Sequence, residues 1–151
     1  MLPPASAKDF QPGRLTTLWQ PCGLCLWAQA LAQQGSHDEA LAKLAEGFER
    51  IEATGERVWQ AELHRVNGLV LVAQNKLGEG EAALQRATHI AQAQQAKSLE
   101  LRAAGDLARL LGERGRRAEA RDLLAPVYGW FTEGFDTADL KEAKALLDEL
   151  A

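Results

Sequence analysis

Apolar residues recur every three or four positions along most of this chain, a spacing that places them on one face of an α-helix. Small clusters of glycine, asparagine and polar residues interrupt the pattern, and such clusters are typical of helix C-caps and turns. Between these clusters the pattern predicts seven helices. Their expected bounds are residues 18–34, 37–54, 57–74, 78–96, 98–114, 117–132 and 137–150.

Residue usage favours the same interpretation. The chain contains 27 Ala and 24 Leu but only 13 Val, Ile and Thr together, and Ala and Leu lose less conformational freedom in a helix than β-branched residues do. The five prolines lie at positions 3, 4, 12, 21 and 126, so residues 22–125 contain none. The sequence therefore predicts an all-α protein. Residues 1–17 are expected to form an arm or a linker, and residues 18–151 a single domain.

The chain matches itself three times at an offset of 40 residues. One column of the match holds Gly or Asn, the residue types that tolerate a left-handed backbone at a turn. Two further columns hold small residues in every copy, and two hold leucine. In the order turn, small, small, leucine, leucine, the columns are Gly35/Asn75/Gly115, Ala28/Gly68/Ala108, Ala40/Gly80/Ala120, Leu31/Leu71/Leu111 and Leu44/Leu84/Leu124.

Such a repeat predicts pairs of antiparallel helices, A and B, each joined by a tight turn. The small residues would let the two backbones approach, and the leucines would fill the space beside that contact. Since one pair cannot bury both of its faces, three pairs are expected to stack and share a continuous core. The last predicted helix carries one apolar stripe and is expected to cap the third pair. The first pair has no comparable polar cap, and its uncovered flank predicts a homodimer or poor solubility.

The succession small-x2-Leu, turn glycine, small-x3-Leu resembles the tetratricopeptide repeat, and the third copy, from Leu107 to Leu124, matches it best. The resemblance implies a right-handed α-solenoid of three helix pairs plus a capping helix, with a period of 40 residues. Residues 54–65, 96–104 and 128–137 are also similar to the C-terminal repeat region of large bacterial signalling proteins of the nucleotide cyclase and ATPase-regulator type. That similarity implies a regulatory or scaffolding role without catalysis, and a homodimerising regulatory tail is one form of it.

In the resembled family, repeats bind partner segments on the concave surface lined by the A helices. The three arginines that fall on this surface here could hold a peptide carboxylate, because guanidinium groups match carboxylates geometrically. The alternative is a solvated helix face whose arginines pair with neighbouring glutamates. Carried over by register, the surface includes Gln29, Gln33, Glu62, Arg65, Leu69, Arg102, Arg109 and Glu113.

Cys22 and Cys25 form a C-x-x-C motif near the start of the first predicted helix. Such a motif at a helix N-terminus can hold a thiolate of low pKa, so a thiol-redox or metal site is an alternative function. A metal would need two more ligands, and His37 is the one nearby candidate. The competing interpretation is a pair of small, buried or half-buried residues. Motifs of hydrolases, P-loop proteins and zinc proteases do not occur, so the sequence predicts neither an enzyme nor a cofactor.

Charge and hydropathy narrow the partners. A net charge of −4 and a pI near 5.4 argue against nucleic-acid binding. No apolar run reaches the roughly 18–20 residues of a membrane span, and the N-terminus lacks the pattern of a secretory signal. We therefore expect a cytoplasmic protein whose partner is another protein or a peptide.

Overall fold

The structure is a computed structural model that describes the backbone of residues 14–151 and the side chains from residue 23 onward. The described chain is all-helical, as predicted, and contains no strand. The helices are α1 (Arg14–Gln33), α2 (His37–Thr54), α3 (Gln60–Ala73), α4 (Leu77–Ala93), α5 (Lys97–Glu113), α6 (Arg117–Trp130) and α7 (Ala138–Leu150).

Most predicted bounds agree with the structure to within three residues. The main difference is at α1, which begins at Arg14, four residues before the predicted start. The last four residues of the expected arm, 14–17, therefore belong to a helix, whereas residues 1–13 lie outside the described part of the chain.

The three predicted turn residues adopt the left-handed conformation, with φ of 85° at Gly35, 63° at Asn75 and 81° at Gly115. The amide of the next residue then donates a hydrogen bond to the carbonyl five positions earlier, of Leu31, Leu71 and Leu111 respectively. This is the hydrogen bond of a Schellman C-cap. The three turns thus share one backbone geometry, and the leucine column marks its acceptor.

The small-residue columns lie where neighbouring helices approach most closely. A Cβ added to Gly68 of α3 would lie 2.8 Å from the side chain of Leu84 and 3.1 Å from the carbonyl oxygen of Gly80 in α4. A Cβ added to Gly80 would meet the Gly68 carbonyl oxygen at the same distance. The alanines of these columns are fully buried, and so are the leucines of the second leucine column, Leu44, Leu84 and Leu124.

The odd-numbered helices contact one another in succession, α1 with α3, α3 with α5 and α5 with α7. Within the described part of the chain, the even-numbered helices contact only their sequence neighbours. The helices therefore form two layers, and the odd-numbered layer presents a continuous face of four helices. The core comprises two clusters, one built mainly from α1–α3 and the other from α4–α7.

Helix α7 packs on α5 and α6 through Leu140, Ala143, Leu146 and Leu150, as expected of a helix that covers the third pair. It also continues the 40-residue register, which the sequence did not predict. Leu63 of α3 packs over Gly47 of the preceding helix. The equivalent positions 40 and 80 residues later are all buried, namely Ala103 and Ala143 for Leu63, and Ala87 and Val127 for Gly47.

Candidate functional site

A groove of about 510 Å³ crosses the face of the odd-numbered helices. We call it the odd-helix groove. All of its lining residues come from α1, α3, α5 and α7, because only these helices share that face. They are Leu26 and Gln29 of α1, Arg65 and Leu69 of α3, Leu101, Arg102, Gly105, Asp106 and Arg109 of α5, and Asp139, Glu142, Ala143 and Leu146 of α7.

Arg65 is only 8% exposed and lies within a cluster of ion pairs. Its Nε donates to Oε1 of Glu62 at 2.8 Å, its Nη2 contacts the same oxygen, and its Nη1 donates to Oδ2 of Asp106 at 2.8 Å. Burial by itself lowers the pKa of Arg65, but the hydrogen bonds and charges of Glu62 and Asp106 outweigh burial and raise the pKa above its ordinary value. The guanidinium therefore stays charged, and it joins α3 to α5.

Arg102 and Arg109 are the accessible cations of the groove, with side chains 44% and 48% exposed. Nε of Arg102 donates to Oδ2 of Asp139 at 2.9 Å, and Nη1 of Arg109 donates to Oδ1 of Asp106 at 3.2 Å. Seven residues separate the two arginines, so their Cα atoms lie about 10 Å apart along α5. Each guanidinium has further N–H groups with which a bound molecule can form hydrogen bonds.

Gly105 lies between these arginines on α5. A Cβ built at this position would meet no atom within 4 Å, so the missing side chain leaves space above the helix instead of allowing close packing. Apolar side chains border the space on both sides. Leu69 lies on the α3 side, and Leu101 and Leu146 lie towards α7. The groove thus combines charged groups with apolar surface at the depth of a helix backbone.

Five of the eight residues predicted for the binding surface line this groove: Gln29, Arg65, Leu69, Arg102 and Arg109. The structure therefore brings the three arginines together on one face, as the repeat register implied.

The other three predicted residues lie elsewhere. Glu62 is buried beside Arg65, at 6% exposure. Gln33 is exposed at the end of α1. Glu113 lines a second groove of about 270 Å³, which shares Arg109 and Leu146 with the odd-helix groove.

The pairing of arginines with glutamates, the alternative to ligand binding, occurs at Arg65 and Glu62. For the two exposed arginines, the carboxylates that the described structure records at hydrogen-bond distance are Asp106 and Asp139, not Glu113. Both exposed arginines are thus partly neutralised from within the chain.

Sequence reasoning missed Asp106 and all four groove residues of α7. A signal for two of them was present. Glu142 and Leu146 stand 40 residues after Arg102 and Asp106, so a fourth copy of the offset would have placed α7 on the same face. It was overlooked because the turn and small-residue columns have no equivalents there. Asp139 carries no such signal, because its position depends on how residues 131–137 lead into α7.

The two cysteines are only partly described. Cys25 is 2% exposed and belongs to the core cluster of α1–α3, whereas the side chain of Cys22 lies outside the described residues. Burial of Cys25 favours a packing role over reactivity, since reactive thiols are accessible. The thiol-redox or metal-binding alternative stays a prediction.

No protein-family model matches this sequence, and a search of curated proteins found no match. None of the helices in the described part of the chain is long and apolar enough to cross a membrane.

Proposed function

We propose that this chain is a non-catalytic protein-interaction module, a right-handed α-solenoid of tetratricopeptide-like helix pairs, which binds a peptide or a segment of a partner protein in the odd-helix groove. The observation that supports this proposal most directly is the groove itself. It is lined by one face of four successive helices, and it holds two half-exposed arginines about 10 Å apart with an open position at Gly105 between them.

The groove residues have different roles in this proposal. Arg102 and Arg109 contact the partner, because roughly half of each side chain is accessible. Arg65 positions the site, since its Nε, Nη1 and Nη2 are all engaged by Glu62 and Asp106. It holds Asp106, which in turn orients Arg109.

The chemistry of the lining defines the partner. An acidic side chain or a terminal carboxylate pairs with Arg102 or Arg109, and a neighbouring apolar side chain packs on Leu101 and Leu146. Glu142 is exposed at the α7 side of the groove and repels a second acidic group there. The groove therefore favours a segment with a few acidic residues over a run of like charges.

Selection from a random peptide display library tests the proposal, because such a selection needs no candidate partner. The wild-type chain should enrich peptides that combine an acidic and an apolar residue. Reversing both exposed charges, with Arg102→Glu and Arg109→Glu, should weaken their binding by about tenfold or more, because each attraction becomes a repulsion. Isothermal titration calorimetry on both proteins measures the change.

A matched control reverses two exposed arginines of even-numbered helices, Arg50→Glu in α2 and Arg121→Glu in α6. The control changes the net charge equally but leaves the groove intact, so it should bind the selected peptides like the wild type. Unchanged binding by the groove variant, or equal loss in both variants, would remove the groove assignment.

A further inference from the structure

One flank of α1 lacks the cover that its equivalents in later helices have. Forty residues after Leu26 stands Val66, which is 1% exposed, and the same register aligns Trp27 with Leu107 of α5, which is 3% exposed. Leu26 and Trp27 themselves are 65% and 53% exposed. In α3 and α5 these positions face helices earlier in the chain, and the described structure holds no such helices before α1.

Two small exposed residues complete this surface, which we call the α1 flank: Gly23, Leu26, Trp27 and Ala30. Trp27 is held in place from one side, because Nζ of Lys43 lies 4.0 Å from the centroid of its ring. Lys43 also pairs with Glu46 at 3.6 Å. An anchored aromatic ring beside small residues is typical of a contact surface.

The α1 flank differs in charge from the rest of the molecule. Residues 15–36 contain no Asp, Glu, Lys or Arg, although one residue in four of the chain is charged. The opposite end of the helix stack is polar. The register positions through which α5 meets its partner helix correspond in α7 to Lys144 and Asp148, which pair with each other at 2.7 Å. One end of the stack is thus closed by charge, and the other is apolar and uncovered.

We propose that the α1 flank binds the same flank of a second copy of this chain, in an isologous dimer. Such a dimer places identical surfaces against each other across a two-fold axis, so a charged residue near the axis would face its own copy. The flank avoids this repulsion because it carries no charge. Its spacing, small-x2-large-large-x2-small from Gly23 to Ala30, also reads the same in both directions, as antiparallel pairing of two copies of α1 requires.

The dimer also affects the odd-helix groove. Leu26 belongs both to the α1 flank and to the groove lining, so the second copy lies against the open end of the groove. The dimer does not depend on ligand binding, however, and Arg102 and Arg109 lie on a different helix. Loss of peptide binding and loss of the dimer are therefore separate outcomes.

The mass in solution tests the proposal. Light scattering coupled to size-exclusion chromatography should give twice the 16.5 kDa of one chain for the wild type. Leu26→Lys and Leu26→Glu should each give the mass of one chain, because two like charges would meet near the axis. An equal mixture of the two variants should regain the doubled mass, since opposite charges then face each other.

Val58→Lys is the matched control, since Val58 is 53% exposed on the loop before α3. It should stay dimeric. Ala30→Arg, at a second exposed position of the flank, should be monomeric and guards against a defect peculiar to position 26; circular dichroism checks that each variant is helical. A monomeric wild type, a dimer that tolerates these charges, or a mixture that stays monomeric would overturn the isologous dimer.

Discussion

His64 shows how one residue adapts to a position that holds Leu24 and Ala104 in the other copies of the repeat. Its ring is half-buried and lies 4.7 Å from the ring of Phe48, between centroids. Burial, and second the positive charge of Arg86, lower the pKa of His64 from 6.5 to about 4. The imidazole is therefore neutral and apolar in character in the folded protein near neutral pH.

This lowered pKa predicts a specific loss of stability in mild acid. Between pH 6.5 and about 4 the unfolded chain binds a proton at His64 that the folded chain does not, so the free energy of unfolding falls as the pH falls. We expect His64 to account for roughly 1–2 kcal/mol of the loss between about pH 7 and about pH 5.

Urea denaturation of the wild type and of His64→Leu at both pH values measures this contribution. Leucine is the residue at the equivalent position 24, and it cannot titrate. The variant should therefore lose less stability than the wild type on acidification. An equal loss in both proteins would show that His64 titrates normally.

At the scale of the elements, the glycines of the helices fall into two kinds. Gly68 of α3 allows α4 to approach, since an added Cβ would meet Leu84 at 2.8 Å and a carbonyl oxygen of α4 at 3.1 Å. Gly105 of α5 has open space at the same atom and lies on the floor of the groove. The first glycine serves packing, and the second leaves room for a ligand.

Alanine substitution should separate these two kinds. Gly68→Ala should lower the free energy of unfolding by about 1–3 kcal/mol, because the α3–α4 contact must open. Gly105→Ala should raise it by about 0.5–1 kcal/mol, because alanine favours the helix and contacts nothing. Urea denaturation of the two variants gives both values. A destabilised Gly105→Ala variant would contradict the open floor.

The sequence predicted the elements well because the repeat supplies three copies of each local signal. The left-handed turns at Gly35, Asn75 and Gly115 and the buried small columns are determined by steric requirements within one helix pair. The groove face was predicted for the same reason, since register alone places Arg65, Arg102 and Arg109 on one side. The carboxylates that hold the arginines were not predicted, because they come from contacts between pairs. Asp106 meets Arg65 from the next odd-numbered helix, and Asp139 meets Arg102 from α7.

At the scale of the whole molecule, the two core clusters meet between α3 and the helices that follow it. Two kinds of contact join them: the Gly68–Gly80 approach of α3 and α4, and the ion pair of Arg65 in α3 with Asp106 in α5. The ion pair is nearly buried. Removing one member of a buried ion pair is costly, because its partner is left charged and unsolvated.

Arg65→Ala should therefore destabilise the protein by about 3–5 kcal/mol. The substitution leaves Glu62 and Asp106 without their guanidinium, and Oε2 of Glu62 already lacks a hydrogen-bond partner among the described residues. Arg109→Ala is the matched control. It removes one bond of 3.2 Å to the same Asp106 from a half-exposed arginine, and it should cost less than about 1 kcal/mol.

The dependence of unfolding on urea then shows which contact couples the two clusters. If the glycine approach joins them, Arg65→Ala lowers the midpoint but keeps a single transition with the slope of the wild type, because the same surface is exposed at once. We expect this result, since Leu84 of α4 packs directly over Gly68 of α3 and bridges the clusters without any charged group. A smaller slope or a second transition in Arg65→Ala, with neither in Arg109→Ala, would instead identify the buried ion pair as the coupling between the two ends of the stack.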